Sequence, residues 1–305
     1  QHRPAAGEHS QIEPKISPPA RSAGRTGAGF IAGLHSRGGA VAPPPPLSLR
    51  AVLRDDNYPG PDSMARRAEV FTVIQTPDGG LEAGITLPEA TAGNGVPPGW
   101  GAVVCHPWSR LGGQMGDPVV GGVSRVLAAA GFTVCRFNFR GVGASGGSPT
   151  FSGDGEKRDV ASACEFLLGG AQVGGQTLCE IHSILLIGYS YGSVITGAAV
   201  DEIPSVRGVC AISYPYSYCW ALVAWKSSGY WNAFKNSQKP KLLVFGDEDN
   251  FSSRRVLEGA AGELAAPAEH QCFEQVDHFW RGGSLASMCA RVVEWAEGVS
   301  RVPLQ

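Results

Sequence analysis

The chain has 305 residues, 43% hydrophobic and 17% charged, a globular composition long enough for one large core or two modest ones. Its net charge of −2 excludes a charge-driven grip on nucleic acid or on an anionic membrane. No uninterrupted apolar run is long enough to span a bilayer. None of the eight cysteines is spaced C-x-x-C, so zinc-ribbon and thioredoxin chemistry are not signalled. Cys105, Cys135, Cys210 and Cys272 fall within strand-like runs, and buried, reduced thiols are the expectation.

Residues 1–65 differ from the rest. They are rich in Arg, Gly, Pro and Ser, include four consecutive prolines at 43–46 and show no hydrophobic period. Such composition predicts little fixed structure. Two readings stand for it: a disordered tail, or a basic organelle-targeting segment with few acids before Asp55. No secretory signal is evident. A cytoplasmic location is expected, with chloroplast or mitochondrion as the alternative if the segment is a transit peptide.

From about residue 66 a single domain is predicted, running to 305. Glu69 to Gln75 and Leu81 to Leu87 read as an antiparallel pair joined at Asp-Gly-Gly. Strand and helix patterns then alternate. Ala102–His106, Phe132–Phe139, Ser183–Ile187, Val206–Ile212, Lys241–Phe245 and Gln271–Val276 read as strands. Residues 117–130, 156–168, 191–201, 252–264 and 284–298 read as helices. This order implies a mostly parallel sheet covered on both faces, with ligand chemistry at the carboxyl ends of the strands.

Two G-x-S-x-G matches occur, at 143–147 and 188–192. Ser145 is followed by polar coil that cannot open a helix. Ser190 has an apolar strand before it and a small, apolar helix after it, the strand–turn–helix context of a nucleophile elbow. A serine hydroxyl needs a base, and the base needs an orienting carboxylate. His278 is read as the base because it follows the last strand, whereas His270 is read as preceding it. Lys241–Phe245 runs into Gly-Asp-Glu-Asp-Asn, where Asp249 is the first choice for the acid and Asp247 the second. Oxyanion donors are expected from the backbone of Tyr191, directly after the nucleophile, and of Trp108 in the loop 106–113.

Residues 140–146 contain G-x-G-x-x-G, but no helix opens there, so a dinucleotide site is not expected. A tight crossing loop that brings Asn138 and Arg140 near the site explains those glycines better. No phosphate-loop or zinc-protease pattern occurs, and no cofactor or metal is expected. Residues 214–239, crowded with Tyr and Trp, read equally as a small cap over an acyl pocket or as helix packed into the core.

Five motifs in order, at 106–113, 137–145, 188–192, 246–249 and 277–280, resemble those of the α/β-hydrolase superfamily, and within it a small-cap subgroup of intracellular serine hydrolases. The resemblance covers roughly residues 69–300. It implies an α/β-hydrolase fold and an esterase, thioesterase or peptidase-like activity on a small acyl substrate, using Ser190, Asp249 and His278. One departure is Pro107, where many lipases and esterases carry Gly. The alternative function is a catalytically silent scaffold that binds a small apolar ligand or a protein partner.

Overall fold

The computed structural model describes residues 69–88, 95–170, 172–173 and 175–303. The expectations for residues 1–65 lie outside the described residues. The chain opens with β1 (Glu69–Thr76) and β2 (Gly79–Thr86), an antiparallel hairpin in which Thr76 faces Gly79. Then come β3 (Trp100–Cys105), α1 (Pro118–Ala130), β4 (Thr133–Phe137) and α2 (Asp154–Leu168). Two short strands, β5 (Gln172–Val173) and β6 (Gln176–Thr177), make a separate antiparallel pair. β7 (Ser183–Tyr189), α3 (Tyr191–Ala199) and β8 (Val206–Ile212) follow. Two short helices come next, α4 (Cys219–Val223) and α5 (Ser227–Asn236). β9 (Lys241–Gly246), α6 (Arg254–Gly262), β10 (Ala268–Phe273) and α7 (Gly283–Ser300) complete the order.

Eight of these strands form one sheet in the order β1-β2-β4-β3-β7-β8-β9-β10. β1 and β2 are antiparallel to each other, and β2 is antiparallel to β4. The pairs from β4 to β10 are parallel. This is the α/β-hydrolase architecture. Every residue of β3, β7 and β9 is buried. Strands covered on both faces cannot alternate apolar with polar, which is why these three are continuous apolar runs in the sequence.

Helices α1 and α7 cover one face, packing Val123, Leu127, Val292 and Trp295 against β3, β7, β8 and β9. Helices α2, α3 and α5 cover the other, with Val160, Val194, Ile195 and Phe234 in its core. Each large apolar side chain so buried contributes roughly 1.5–3 kcal/mol. The bounds of α1 follow from its termini. The Asp117 carboxylate accepts from the Val119 N–H at 2.8 Å, Pro118 occupies the first turn, and Gly131, at φ 115°, ends the helix.

The last strand differs from the sequence reading. It runs from Ala268 to Phe273, not from Gln271 to Val276, so His270 lies within it and not before it. β10 is an edge strand whose first three residues are exposed, so it lacks the apolar run that marks the inner strands. After it, residues 274–277 fold back over the end of β9. The Glu248 N–H donates to the Val276 carbonyl at 3.1 Å, and the Val276 N–H donates to Asp247 Oδ1 at 3.3 Å. Gly246 permits this approach, because a Cβ there would stand 2.0 Å from the Val276 oxygen. The fold-back carries His278 from the sheet edge toward the centre.

Candidate active site

Ser190 stands between the last residue of β7 and the first of α3, with φ 53° and ψ −118°. A non-glycine residue pays a steric penalty at positive φ, and the surroundings hold this one there. Its N–H donates to the Ile212 carbonyl at 2.8 Å, and its own carbonyl accepts from the Ser193 N–H at 2.9 Å. The two flanking glycines are sterically required. A Cβ on Gly188 would meet the Gly192 carbonyl oxygen at 2.4 Å, and one on Gly192 would meet the Cys105 carbonyl oxygen at 2.4 Å. The turn points the Ser190 hydroxyl out at the carboxyl end of the sheet.

The structure brings Ser190, His278 and Asp249 into one hydrogen-bonded chain. His278 Nε2 lies 2.9 Å from Ser190 Oγ, and His278 Nδ1 lies 2.7 Å from Asp249 Oδ2. All three residues are buried. Asp249 Oδ1 accepts from the N–H groups of Phe251 at 2.8 Å and Ser252 at 3.2 Å, which fixes the carboxylate plane. With Oδ2 accepting, the imidazole carries its proton on Nδ1 and offers the Nε2 lone pair to the Ser190 hydroxyl. Asp247 makes no such contact; its carboxylate holds the Val276 N–H on the fold-back.

Further groups, absent from the sequence reading, fix the imidazole. The Tyr189 hydroxyl donates to the His278 carbonyl at 3.0 Å, and burial pushes the phenol pKa up, so it remains a donor. The Phe251 ring packs on the imidazole at 4.3 Å between centroids. Two residues on, the buried Trp280 indole N–H donates to Ser213 Oγ at 2.9 Å. The spacing Asp-Asn-Phe-Ser, in which a carboxylate caps the N–H groups two and three residues ahead, is a further sequence signal for the Asp249 turn.

Tyr191 heads α3, where first-turn N–H groups lack intrahelical acceptors. Trp108 precedes a 3₁₀ turn, Ser109–Leu111, and its carbonyl accepts from the N–H groups of both Leu111 and Gly113 at 3.0 Å. His106 anchors this loop. Its Nε2 accepts from the Phe139 N–H at 3.0 Å, and its Nδ1–H donates to the Pro107 carbonyl at 2.6 Å. Both partners fix the tautomer, and burial lowers the imidazole pKa to about 4, so it is neutral near pH 7. Trp108 and Tyr191 together wall a small cleft that continues along Arg110, Thr150, Phe151 and Leu222.

The other sequence-marked residues have structural partners. Ser145 Oγ donates to the Asn138 carbonyl at 2.7 Å and accepts from the Glu82 N–H at 2.9 Å, so the second G-x-S-x-G serine ties a loop to β2. Asn138 Oδ1 accepts from the Met115 N–H, and its Nδ2 donates to Glu82. Arg140 is clamped by Asp159 and Asp78. The glycines of 141–147 close a tight turn, with Gly141 and Gly143 at positive φ. Residues 214–239 divide between the two readings offered for them. Tyr214, Tyr230, Trp231 and Phe234 are core, Ala221 and Leu222 face the cleft, and Trp220 and Trp225 are 67% and 78% exposed.

All eight cysteines are free, six of them buried. Among the described residues no helix is long and apolar enough to cross a membrane, and no cluster of three His, Cys, Asp or Glu side chains could hold a metal ion.

No protein-family model matches the chain. A sequence relative, an uncharacterized protein of Rickettsia prowazekii (strain Madrid E), is 28% identical over 189 residues, 59% of this chain and 71% of that protein. Similar solved structures include a lidless α/β serine hydrolase from Xanthomonas campestris, with TM-score 0.62 and 24% identity over 77% of this chain and 97% of that one. An α/β serine hydrolase homologue from Coxiella burnetii has TM-score 0.59 and 26% identity, covering 73% and 95%. The esterase Est1E of Butyrivibrio proteoclasticus has TM-score 0.57 and 13% identity, covering 75% and 98%. The chain thus has the fold of the α/β-hydrolase superfamily.

Proposed function

We propose that this protein is a serine hydrolase that cleaves a small ester, thioester or amide through an acyl-enzyme intermediate. One observation carries the reading: the unbroken contact from Asp249 Oδ2 through the His278 ring to Ser190 Oγ, at 2.7 and 2.9 Å. In the first half-reaction Ser190 Oγ attacks the carbonyl carbon while His278 Nε2 takes its proton. The imidazolium so formed is stabilised by Asp249 across the Nδ1–H bond. It then protonates the leaving group, and the acyl group remains on Oγ. Water enters, His278 removes its proton, and the second tetrahedral intermediate collapses to acid and free Ser190.

The developing oxyanion is assigned to the N–H groups of Tyr191 and Trp108. Each such donor is worth about 10²–10³ in rate. The rigid tie of Gly113 to the Trp108 carbonyl supports the second assignment, since a preorganised donor costs no reordering during the reaction. The half-buried Trp108 and the partly exposed Leu222 make the adjoining cleft suited to a short acyl chain.

The test is covalent labelling with a fluorophosphonate probe, followed by peptide mapping. The adduct is expected on Ser190 and absent from Ser190→Ala. Labelling that survives in that variant, or never occurs in the wild type, overturns the proposal.

A further inference from the structure

We infer that the cleft walled by Trp108 and Tyr191, the residue directly after Ser190, selects acyl chains ending in a carboxylate, and that Arg110 is the residue that recognises it. The inference rests on the serine hydrolase reading. Arg110 lines the cleft together with Trp108, Phe151 and Tyr191. Its guanidinium carbon lies 5.1 Å from the centroid of the Phe151 ring and 6.0 Å from that of Trp108. Among the described residues its guanidinium makes these two cation–π contacts and no salt bridge. These cation–π contacts are made through the ring faces and engage no hydrogen bond from the guanidinium N–H edge. That edge matches the two oxygens of a carboxylate.

The charges around the cleft favour its mouth as the anion site. Glu156 is also a lining residue, only 2% exposed, and both its oxygens are taken by Thr150, one by the main-chain N–H at 2.9 Å and the other by the hydroxyl. It fixes the loop that carries Phe151 and repels anions from the inner wall. Asp154, beyond it, is paired with Lys226 and accepts from the Tyr230 hydroxyl. The cation at the mouth is therefore left for a substrate.

Arg110 also sits at a defined place relative to the reaction. It is two residues after Trp108 on the same 3₁₀ turn, so the two backbones are within about 7 Å. Aromatic walls accept the methylene chain between them.

Mono-p-nitrophenyl esters of succinate, glutarate and adipate, compared with p-nitrophenyl butyrate, valerate and hexanoate, test this. The wild type is expected to favour at least one carboxylate ester by about tenfold in kcat/KM over the neutral ester of equal length, with the preference falling as salt is raised. In Arg110→Gln the ratio should collapse through KM, and in Arg110→Lys it should be intermediate. A wild-type ratio of one or less, or an unchanged ratio in Arg110→Gln, overturns the inference.

Binding of the same esters to Ser190→Ala, read by tryptophan fluorescence, separates the two layers. Charge preference in that variant without turnover by the wild type would sink the hydrolase reading and keep the anion site. Turnover without charge preference would do the reverse.

Discussion

The Tyr189 hydroxyl donates to the main-chain carbonyl of His278 at 3.0 Å, tying the residue before Ser190 to the residue whose imidazole contacts it. The two rings also pack, with centroids 5.7 Å apart. Ser190 and His278 come from strands at different places in the sheet, so this bond holds one register between them. Tyr189→Phe keeps the ring and leaves the buried carbonyl without its donor. It should lower stability by about 1–2 kcal/mol and kcat by up to about tenfold, with KM little changed. Urea denaturation and steady-state kinetics on one preparation check both effects.

The acid of the site can be tested by two parallel substitutions. Asp249 touches the imidazole, whereas Asp247 holds the Val276 N–H. Asp249→Asn should reduce kcat by up to about 10⁴, because an amide favours the wrong histidine tautomer. Asp247→Asn should leave kcat near the wild-type value, since this side chain does not touch the imidazole and its amide oxygen can still accept from Val276. Equal losses of kcat in the two variants would remove the special role given to Asp249.

Ser145 supplies a control for the motif itself. It has the same G-x-S-x-G surroundings as Ser190, but its hydroxyl is spent between the Asn138 carbonyl and the Glu82 N–H. Ser145→Ala should still label with a fluorophosphonate on Ser190. Thermal denaturation should show a loss of about 1–3 kcal/mol from the unpaired buried groups.

These contrasts mark what a one-dimensional reading can reach. β7 and the elbow were legible because a strand buried on both faces must be a continuous apolar run, and Gly188 and Gly192 are the residues that allow the turn. β10 was misplaced by three residues because an edge strand with exposed residues carries no such pattern. Asp247 and Asp249 are two residues apart on one turn, and the choice between them depends on how 274–277 folds over Gly246, which is a tertiary fact. The aromatics of 214–239 were ambiguous for a similar reason. In a ten-residue helix, Tyr230, Trp231 and Phe234 define too short a stripe to reveal which face is buried. The Tyr189 tether has no sequence signature at all.

His106 makes the acid limb of stability a measurable property of the site's supporting loop. Its imidazole is fully buried between the Phe139 N–H and the Pro107 carbonyl, and burial holds its pKa at about 4, below the ordinary 6.5. Nε2 can take a proton only by giving up the Phe139 bond. Between these two values the unfolded chain binds the proton and the folded chain does not, so stability falls as pH drops from about 6.5 to about 4. This one group should account for a loss on the order of 3 kcal/mol across that window, and for none above it. Carboxylates titrate nearby in pH, so the comparison is with His106→Gln, whose side-chain oxygen can still accept from Phe139 but takes up no proton. Urea denaturation from pH 7.5 to 4 should give the variant a flatter profile, whatever its stability at neutral pH. Parallel profiles for the two proteins would show that His106 is not held neutral in the folded state.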